Sequence, residues 1–316
     1  YFHKNTALKG FMIMSERTGY NSVRTKNRNR GIVLRLIVGK QLSRADITKK
    51  IGLTKMAITK IVGELIEDGY IVEGKGESAP GVGRAPTFLE ISAQSPVSLG
   101  LYISRNELAV IVCSFRLDRL FSESIPLKNE SKSSLEEKIF SLCDKALRFT
   151  AEAFPERKFL GIGVSAVGPL NPSTGVILDP TNFYGITDYP VAELLMNRYH
   201  LPVYLENDMN AASLGETIMR NDPNFSNLFF LSVGTGTGAG IIINDHIWHG
   251  NGNYAGDVGL VMNGLKLSDQ KEDLAPLRLN NQICASALER KFQVNIAQNA
   301  PCSKEKKQEI SEYVVS

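Results

Sequence analysis

The chain has 316 residues, 43% hydrophobic and 22% charged, with a formal net charge of +3. That length points to two or three domains, and the composition excludes global disorder, collagen-like repeats and a disulfide-dense mini-protein. No apolar run approaches the roughly 18 to 20 residues of a membrane-spanning helix and none reads as a signal peptide, so a cytoplasmic protein with no membrane partner is expected.

Cys113, Cys143, Cys284 and Cys302 stand far apart with no Cys-x-x-Cys pair, the pattern of reduced thiols and not of a zinc cluster. The charge is uneven. Residues 1–91 carry 16 basic against 8 acidic residues, a net of +8, and the remainder carries 20 against 25, a net of −5. A basic end on an acidic body suits a polyanion partner at that end, although a merely solvated basic surface would look the same.

Residues 1–20 carry little pattern, and Met14 is a candidate start with Tyr1 to Ile13 upstream of it. Ile32, Val33, Leu36 and Ile37 recur at helical spacing and predict a helix from Lys26 to Val38. Ser43 as N-cap, Asp46 three residues on and the Leu42/Ile47 staple pair predict a second helix running to Ile51. Gly52-Leu53-Thr54 makes a short turn with Thr54 as the next cap. In the third helix Ile58, Ile61, Val62, Leu65 and Ile66 form one buried stripe, with Lys55, Met56, Thr59 and Lys60 on the other face and Gly69 at the end. A plain helical hairpin would share this capping. The positive charge on the segment favours a helix-turn-helix.

Tyr70 to Glu73 and Thr87 to Ile91 read as strands joined by the Gly- and Pro-rich stretch 74–86, which carries Arg84. Beside a helix-turn-helix such a ribbon is a wing, and Arg84 would enter a narrow minor groove.

From Ser98 the period changes. Strands are predicted at Ser98 to Ile103, Glu107 to Phe115, Leu120 to Pro126 and Phe159 to Val164, with a helix from Ser134 to Phe154. Then come helix Val191 to Tyr199, strand Pro202 to Leu205, helix Asp208 to Met219, and a hairpin of Leu228 to Val233 with Ala239 to Ile243. Antiparallel strands followed by crossover helices give a mixed α/β sheet.

Three stretches carry candidate chemistry. Gly234-Thr235-Gly236-Thr237-Gly238-Ala239-Gly240 presents backbone N–H groups and hydroxyls to an anion, or is simply a tight hairpin. The strand that follows it disfavours a dinucleotide fingerprint, which needs a helix there. In Glu206-Asn207-Asp208, Asp208 is either an N-cap or a carboxylate at a strand edge that holds a hydroxyl. The loop from Gly250 to Gly259 adds amides and Asp257, a set that suits a polyhydroxyl ligand or a plain surface turn.

With these motifs the chain resembles the ROK group, which holds bacterial sugar-responsive repressors and sugar kinases on an actin-like ATPase fold. The repressor branch is matched by Arg24-Thr25-Lys26-Asn27, Leu42 to Ile47, Gly52-Leu53-Thr54 and Gly81 to Pro86. The body matches at Gly163 to Pro169, Pro180-Thr181-Asn182, Glu206-Asn207-Asp208 and Gly234 to Gly240, in order.

The resemblance implies a winged helix-turn-helix over residues 21–92, a first ROK-like lobe over 97–205 and a partial second lobe over 206–316, truncated at the C-terminus. It places Asp208 where kinases of the group keep a general base, and Asn182, Asn207 and Asp257 against the sugar. Gly234, Thr235, Gly236, Thr237 and Gly238 become a vestigial phosphate loop.

Four departures bear on activity. The kinases' Asp-x-Gly-Gly-Thr loop is here Tyr102-Ile103-Ser104-Arg105-Asn106, without carboxylate or glycine, and phosphoryl transfer depends on such positioning and charge neutralisation. The family's histidine after the Gly-rich acidic loop is Leu260, and Leu265 to Asn281 holds no cysteine or histidine, so no structural zinc is expected. The chain also stops at Ser316, short of the family's closing helices.

The expectation is therefore a DNA-binding transcriptional regulator, a repressor, with no cofactor, no metal and no catalytic residue. Its partners would be double-stranded operator DNA, a sugar effector and a second copy in a homodimer or higher oligomer. Arg24, Arg44, Thr54, Lys55, Met56, Thr59, Lys60 and Arg84 would meet the DNA. The alternatives are a ROK sugar kinase and a regulator that answers to a protein partner.

Overall fold

A computed structural model of the chain describes residues 22–75, 87–220, 222, 225–261, 278–294 and 303–315. The ribbon tip with Arg84, the stretches Tyr1 to Ile13 and Lys266 to Asp273, and Cys302 lie outside the described residues. The chain divides into two units between Glu206 and Asn207.

The first unit opens with α1 (Ser22–Ile37), α2 (Arg44–Ile51) and α3 (Lys55–Glu67), followed by β1 (Ile71–Lys75) and β2 (Thr87–Ile91). Local chemistry sets the ends of α2. Ser43 accepts from the Asp46 backbone N–H at 3.2 Å while the Asp46 carboxylate accepts from the Ser43 N–H at 3.0 Å. The Ser43 hydroxyl, then its backbone N–H, hold the Asp46 carboxyl below its ordinary value. Gly52 closes the helix at φ +72°, a left-handed conformation that favours glycine. Thr54 then caps α3 by accepting from the Ala57 N–H at 3.2 Å.

α1 starts at Ser22, four residues before the Lys26 expected from apolar spacing, and its polar part carries ion pairs to α3. Lys26 Nζ lies 2.8 Å from Glu64, and the buried Arg30 bridges both Glu64 and Asp68 at the end of α3. The polar first half of α1 is thus held by tertiary pairs and not by a hydrophobic stripe. Val33, Ile37, Ile47, Ile58, Val62, Leu65, Ile71 and Leu89 form the shared core. β1 pairs antiparallel with β2, in register from Ile71↔Ile91 to Lys75↔Thr87, two residues beyond the Glu73 expected as the strand's end. Leu42 then fastens the ribbon to the helices by accepting from the Leu89 N–H at 2.9 Å.

The rest of this unit is built on a sheet of order β5-β4-β3-β6-β9. Its strands are β3 (Val97–Ile103), β4 (Glu107–Ser114), β5 (Arg119–Pro126), β6 (Phe159–Ala166) and β9 (Val203–Asn207). β3, β4 and β5 form an antiparallel meander, and α4 (Lys132–Ala153) crosses over to set β6 parallel to β3. Inner residues of β3 and β4 alternate with outer ones and bury Leu99, Leu101, Ile103, Leu108, Val110 and Val112 against Ile139, Leu142 and Ala146 of α4. The two-residue strands β7 (Leu170–Asn171) and β8 (Val176–Ile177), and α5 (Val191–Tyr199), complete the unit. Strands as short as β7 and β8 offer no period to read.

In the second unit α6 (Asp208–Arg220) precedes a sheet of order β10-β11-β12, made of Leu228–Val233, Thr237–Ile243 and His246–Ile247. A 3-10 turn at Val258–Leu260 and the helices α7 (Leu279–Ile283), α8 (Ala285–Phe292) and α9 (Lys304–Val315) follow. No helix among the described residues is long and apolar enough to cross a membrane.

Candidate functional sites

On α3, Ile58, Ile61, Val62 and Leu65 face the core while Lys55, Met56, Thr59 and Lys60 are exposed. Met56 is 84% exposed. Thr59 spends its hydroxyl on the Lys55 carbonyl at 2.9 Å. Arg44, also expected to meet DNA, pairs its guanidinium with Glu73 and so ties α2 to β1. The pair offsets its charge. Arg24 lies on α1.

At the carboxyl end of β3 the turn 104–107 is closed tightly. Ser104 N–H donates to the Glu107 carbonyl at 2.9 Å, and the Ser104 hydroxyl accepts from the Glu107 N–H at 2.9 Å. Arg105 reaches away from the turn and donates from Nε to the Thr181 carbonyl at 2.8 Å. The next residue, Asn182, is exposed and sits at φ +59°.

In the second unit the start of α6 packs on the start of β11. Asn207 is the N-cap, because its Oδ1 accepts from the N–H groups of Met209 at 2.9 Å and Asn210 at 3.3 Å. Asp208 also accepts from the Met209 N–H, at 2.9 Å. The two alternatives for this stretch therefore divide between neighbours, with the capping carbonyl on Asn207 and the carboxylate one residue inside the helix.

The glycine run divides in the same way. A Cβ on Gly240 would stand 2.3 Å from the Met209 carbonyl oxygen and 2.6 Å from Ser213 Oγ, and one on Gly238 would stand 3.1 Å from Met209 Cγ. These two glycines let the helix approach the strand. At the tip, a Cβ on Gly236 would meet nothing nearer than 3.5 Å, and Thr235 and Gly236 are exposed.

α7 and α8 strap the tip from behind. Asn280 Oδ1 accepts from the Thr237 N–H at 2.8 Å, and the Gly234 carbonyl accepts from the Ala285 N–H at 2.7 Å. The Thr237 N–H, expected to be offered to an anion, is thus already taken by a side chain. The Thr237 hydroxyl is buried and makes no hydrogen bond. At the edge of β11 away from β10, Gly256 accepts from the Ala239 N–H at 2.7 Å, and the next residue is the exposed Asp257. Partial desolvation raises the Asp257 carboxyl above the ordinary aspartate value.

The second unit therefore brings Asn207, Asp208, Gly234 to Gly238 and Asp257 around the first half of β11, while Asn182 belongs to the first unit. Asn280 and Ala285 were not found from sequence, since an asparagine in a polar stretch carries no local signal of a partner 43 residues away. Among the described residues no cluster of three or more His, Cys, Asp or Glu could hold a metal ion.

Comparison with known proteins places this geometry. The ROK family matches residues 99–285. The chain belongs to the ROK family. A xylose repressor of Caldicellulosiruptor bescii is 31% identical over 241 residues, which cover 76% of this chain and 59% of the relative. This ROK chain thus spans about three fifths of the length of that curated relative. Among solved structures, a ROK family transcriptional regulator homologous to Escherichia coli Mlc aligns with a TM-score of 0.69 at 21% identity, over 90% of this chain and 70% of that one. A ROK hexokinase from Thermus thermophilus aligns with a TM-score of 0.51 at 24% identity, over 68% of this chain and 69% of that one. Both likenesses establish the mixed α/β, actin-like fold of ROK proteins.

Proposed function

We propose that this ROK protein is a DNA-binding transcriptional repressor whose kinase-descended lobes bind a sugar or sugar derivative and carry no catalysis. The observation that carries the reading is the exposed face of α3, with Lys55, Met56, Thr59 and Lys60 on a helix capped by Thr54 in a segment of net charge +8. In this reading residues 21–92 are a winged helix-turn-helix, 97–205 the first lobe and 206–316 part of the second. α3 lies in the major groove and Arg84 in the flanking minor groove of one half-site, with a second copy on the two-fold-related half-site. The xylose repressor relative supports both the DNA target and a sugar as effector.

A sugar relieves repression only if it binds better to a conformation that fits the operator poorly. Asn182, Asn207, Asp208 and Asp257 supply the amides and carboxylates that would read its hydroxyls. The kinase reading keeps one observation in its favour, the retained Asp208 carboxylate at the start of α6. Against it stands the stretch Tyr102 to Asn106, closed by the turn at Ser104, which has neither glycine nor carboxylate at the place of a phosphate loop.

The test is to pull down sheared genomic DNA with the purified protein and sequence what is bound. One enriched two-fold-symmetric site, released by a sugar, is expected. No enrichment, together with ADP release on a sugar panel, would replace the repressor by a kinase.

A further inference from the structure

The turn at the end of β3 does something in this chain that neither a phosphate loop nor an ordinary hairpin would do. Arg105 donates from Nε to the Thr181 carbonyl at 2.8 Å, across 76 residues of sequence. In return, the Tyr184 hydroxyl donates to the Arg105 backbone carbonyl. Each loop thus supplies one side chain that grips the other loop's main chain. Asn182 lies between the two grips, and its backbone is held at φ +59°, with Tyr184 at φ +57° and Gly185 at φ +72°.

A run with two non-glycine residues in the left-handed region is disfavoured, more for Tyr184 than for Asn182, and persists only where its surroundings over-determine it. Three features do so here. Phe183, between the two strained residues, is 1% exposed and anchors the loop in the core of the lobe. Its N–H donates to the Pro180 carbonyl at 3.2 Å, and the Ile186 N–H donates to the Phe183 carbonyl at 2.9 Å. The third is the clasp, whose far side is itself rigid because Leu127 N–H donates to the Asn106 carbonyl at 2.9 Å and the Ser104 hydroxyl closes the turn.

We propose that Arg105 and Tyr184 are positioning residues for the ligand site, a reciprocal clasp that holds Asn182 in its left-handed conformation. The proposal rests on the reading that Asn182 meets the sugar. It goes further by giving the β3–β4 turn a new task. A turn that would approach phosphates if it were made of glycines instead carries an arginine that braces the opposite loop. The clasp holds the Asn182 backbone in one conformation before any ligand arrives, which lowers the ordering cost of binding.

The experiment compares the wild-type protein with Tyr184→Phe, Arg105→Met and Arg105→Lys. Tyr184→Phe keeps the ring and loses one hydroxyl, so it stays folded even if Arg105→Met does not. Amide hydrogen exchange of the sugar-free protein is read first. Exchange of residues 181–187 is expected to rise about tenfold in Tyr184→Phe and Arg105→Met while β3 and β6 stay protected, with Arg105→Lys between them and wild type. Unchanged exchange of 181–187 in both variants overturns the clasp.

Titration with D-xylose and D-glucose, followed by melting shift, is read second. About tenfold weaker sugar binding at unchanged operator affinity is expected in the two disruptive variants. Loosened exchange with unaltered sugar affinity overturns the positioning role. If wild type binds neither sugar, the sugar-sensing reading fails for those ligands, and the exchange measurement still decides the clasp.

Discussion

Replacing Gly240 by alanine separates the two tasks that the glycine-rich run could have. The new Cβ would stand 2.3 Å from the Met209 carbonyl oxygen, 2.6 Å from Ser213 Oγ and 2.7 Å from Ser213 Cβ. Ordinary contact lies near 3.5 Å, so α6 and β11 must part by roughly 1 Å over their contact. The obstacle is helix backbone and a buried serine that already donates to the Asn210 carbonyl at 2.8 Å, so no flexible side-chain end can swing away. Overpacking of this kind costs about 1–3 kcal/mol, which lowers the melting temperature of a unit this size by roughly 4–12 °C. The control is Gly236→Ala, whose Cβ would meet only Asn280 Oδ1 at 3.5 Å on the exposed tip. Its expected effect is within about 0.5 kcal/mol. Urea and thermal unfolding of both variants is the assay. A Gly240→Ala protein as stable as wild type, or a Gly236→Ala protein that loses more stability than Gly240→Ala, would refute the assignment of Gly240 to helix packing.

Three further outcomes follow from the same structure. Lys55→Ala with Lys60→Ala should reduce the slope of log operator affinity against log salt by about 0.9 per lost phosphate contact, near 2 for the pair, and an unchanged slope removes α3 from the DNA. Asp208→Asn should leave operator affinity and folding intact while abolishing the sugar response, because Asn207 caps the helix and asparagine can still accept from the Met209 N–H; loss of folding would make Asp208 structural. Glu130 is buried and accepts from Lys138 at 2.5 Å, Ser134 at 2.6 Å and the Lys128 N–H at 2.9 Å, and Lys138 first, then Ser134, lower its carboxyl from 4.5 to about 2. A depressed folded value stabilises above the unfolded one, so at most about 3 kcal/mol present at pH 7 should fade as pH falls from about 4.5 to 2, and melting of Glu130→Gln should depend less on pH there.

The legible parts of the chain are those whose cause is local. The capping box of Ser43 and Asp46, the left-handed Gly52 and the Thr54 cap depend on residues within four of one another, and spacing alone gives them. The ion pairs that hold the polar part of α1 do not, because Arg30 finds Glu64 and Asp68 at separations of 34 and 38 residues. The glycine run stayed ambiguous for a related reason. Which glycines admit a helix and which form the tip depends on the register of α6 against β11, and only the folded unit sets it. Asn280 and the Arg105–Thr181 bond are single polar contacts across the fold, which leave no periodicity in the sequence.

Within the first unit, the helices and ribbon are fastened to the sheet that follows them. Tyr70 packs edge-on against Phe115, with ring centroids 5.4 Å apart and planes at 86°. Arg116 donates to the Ile91 carbonyl at 2.9 Å, Arg157 to the Ala93 carbonyl at 2.5 Å, and Leu160 joins the core of the helices. The connection from Ser92 to Pro96 is equally held, since the Ser92 N–H donates to the Tyr70 carbonyl at 2.9 Å and the Ser95 N–H to the Ser92 carbonyl at 3.0 Å. Helices joined in this way have no free linker, so α3 turns with the β3–β4–β5 meander. Under the proposed function, a sugar that reorients this lobe in each of two copies changes the separation of two α3 helices. Half-sites one helical turn apart accept only a separation of roughly 34 Å. Control then needs no unfolding of the reader, only a change in the spacing of two rigid ones.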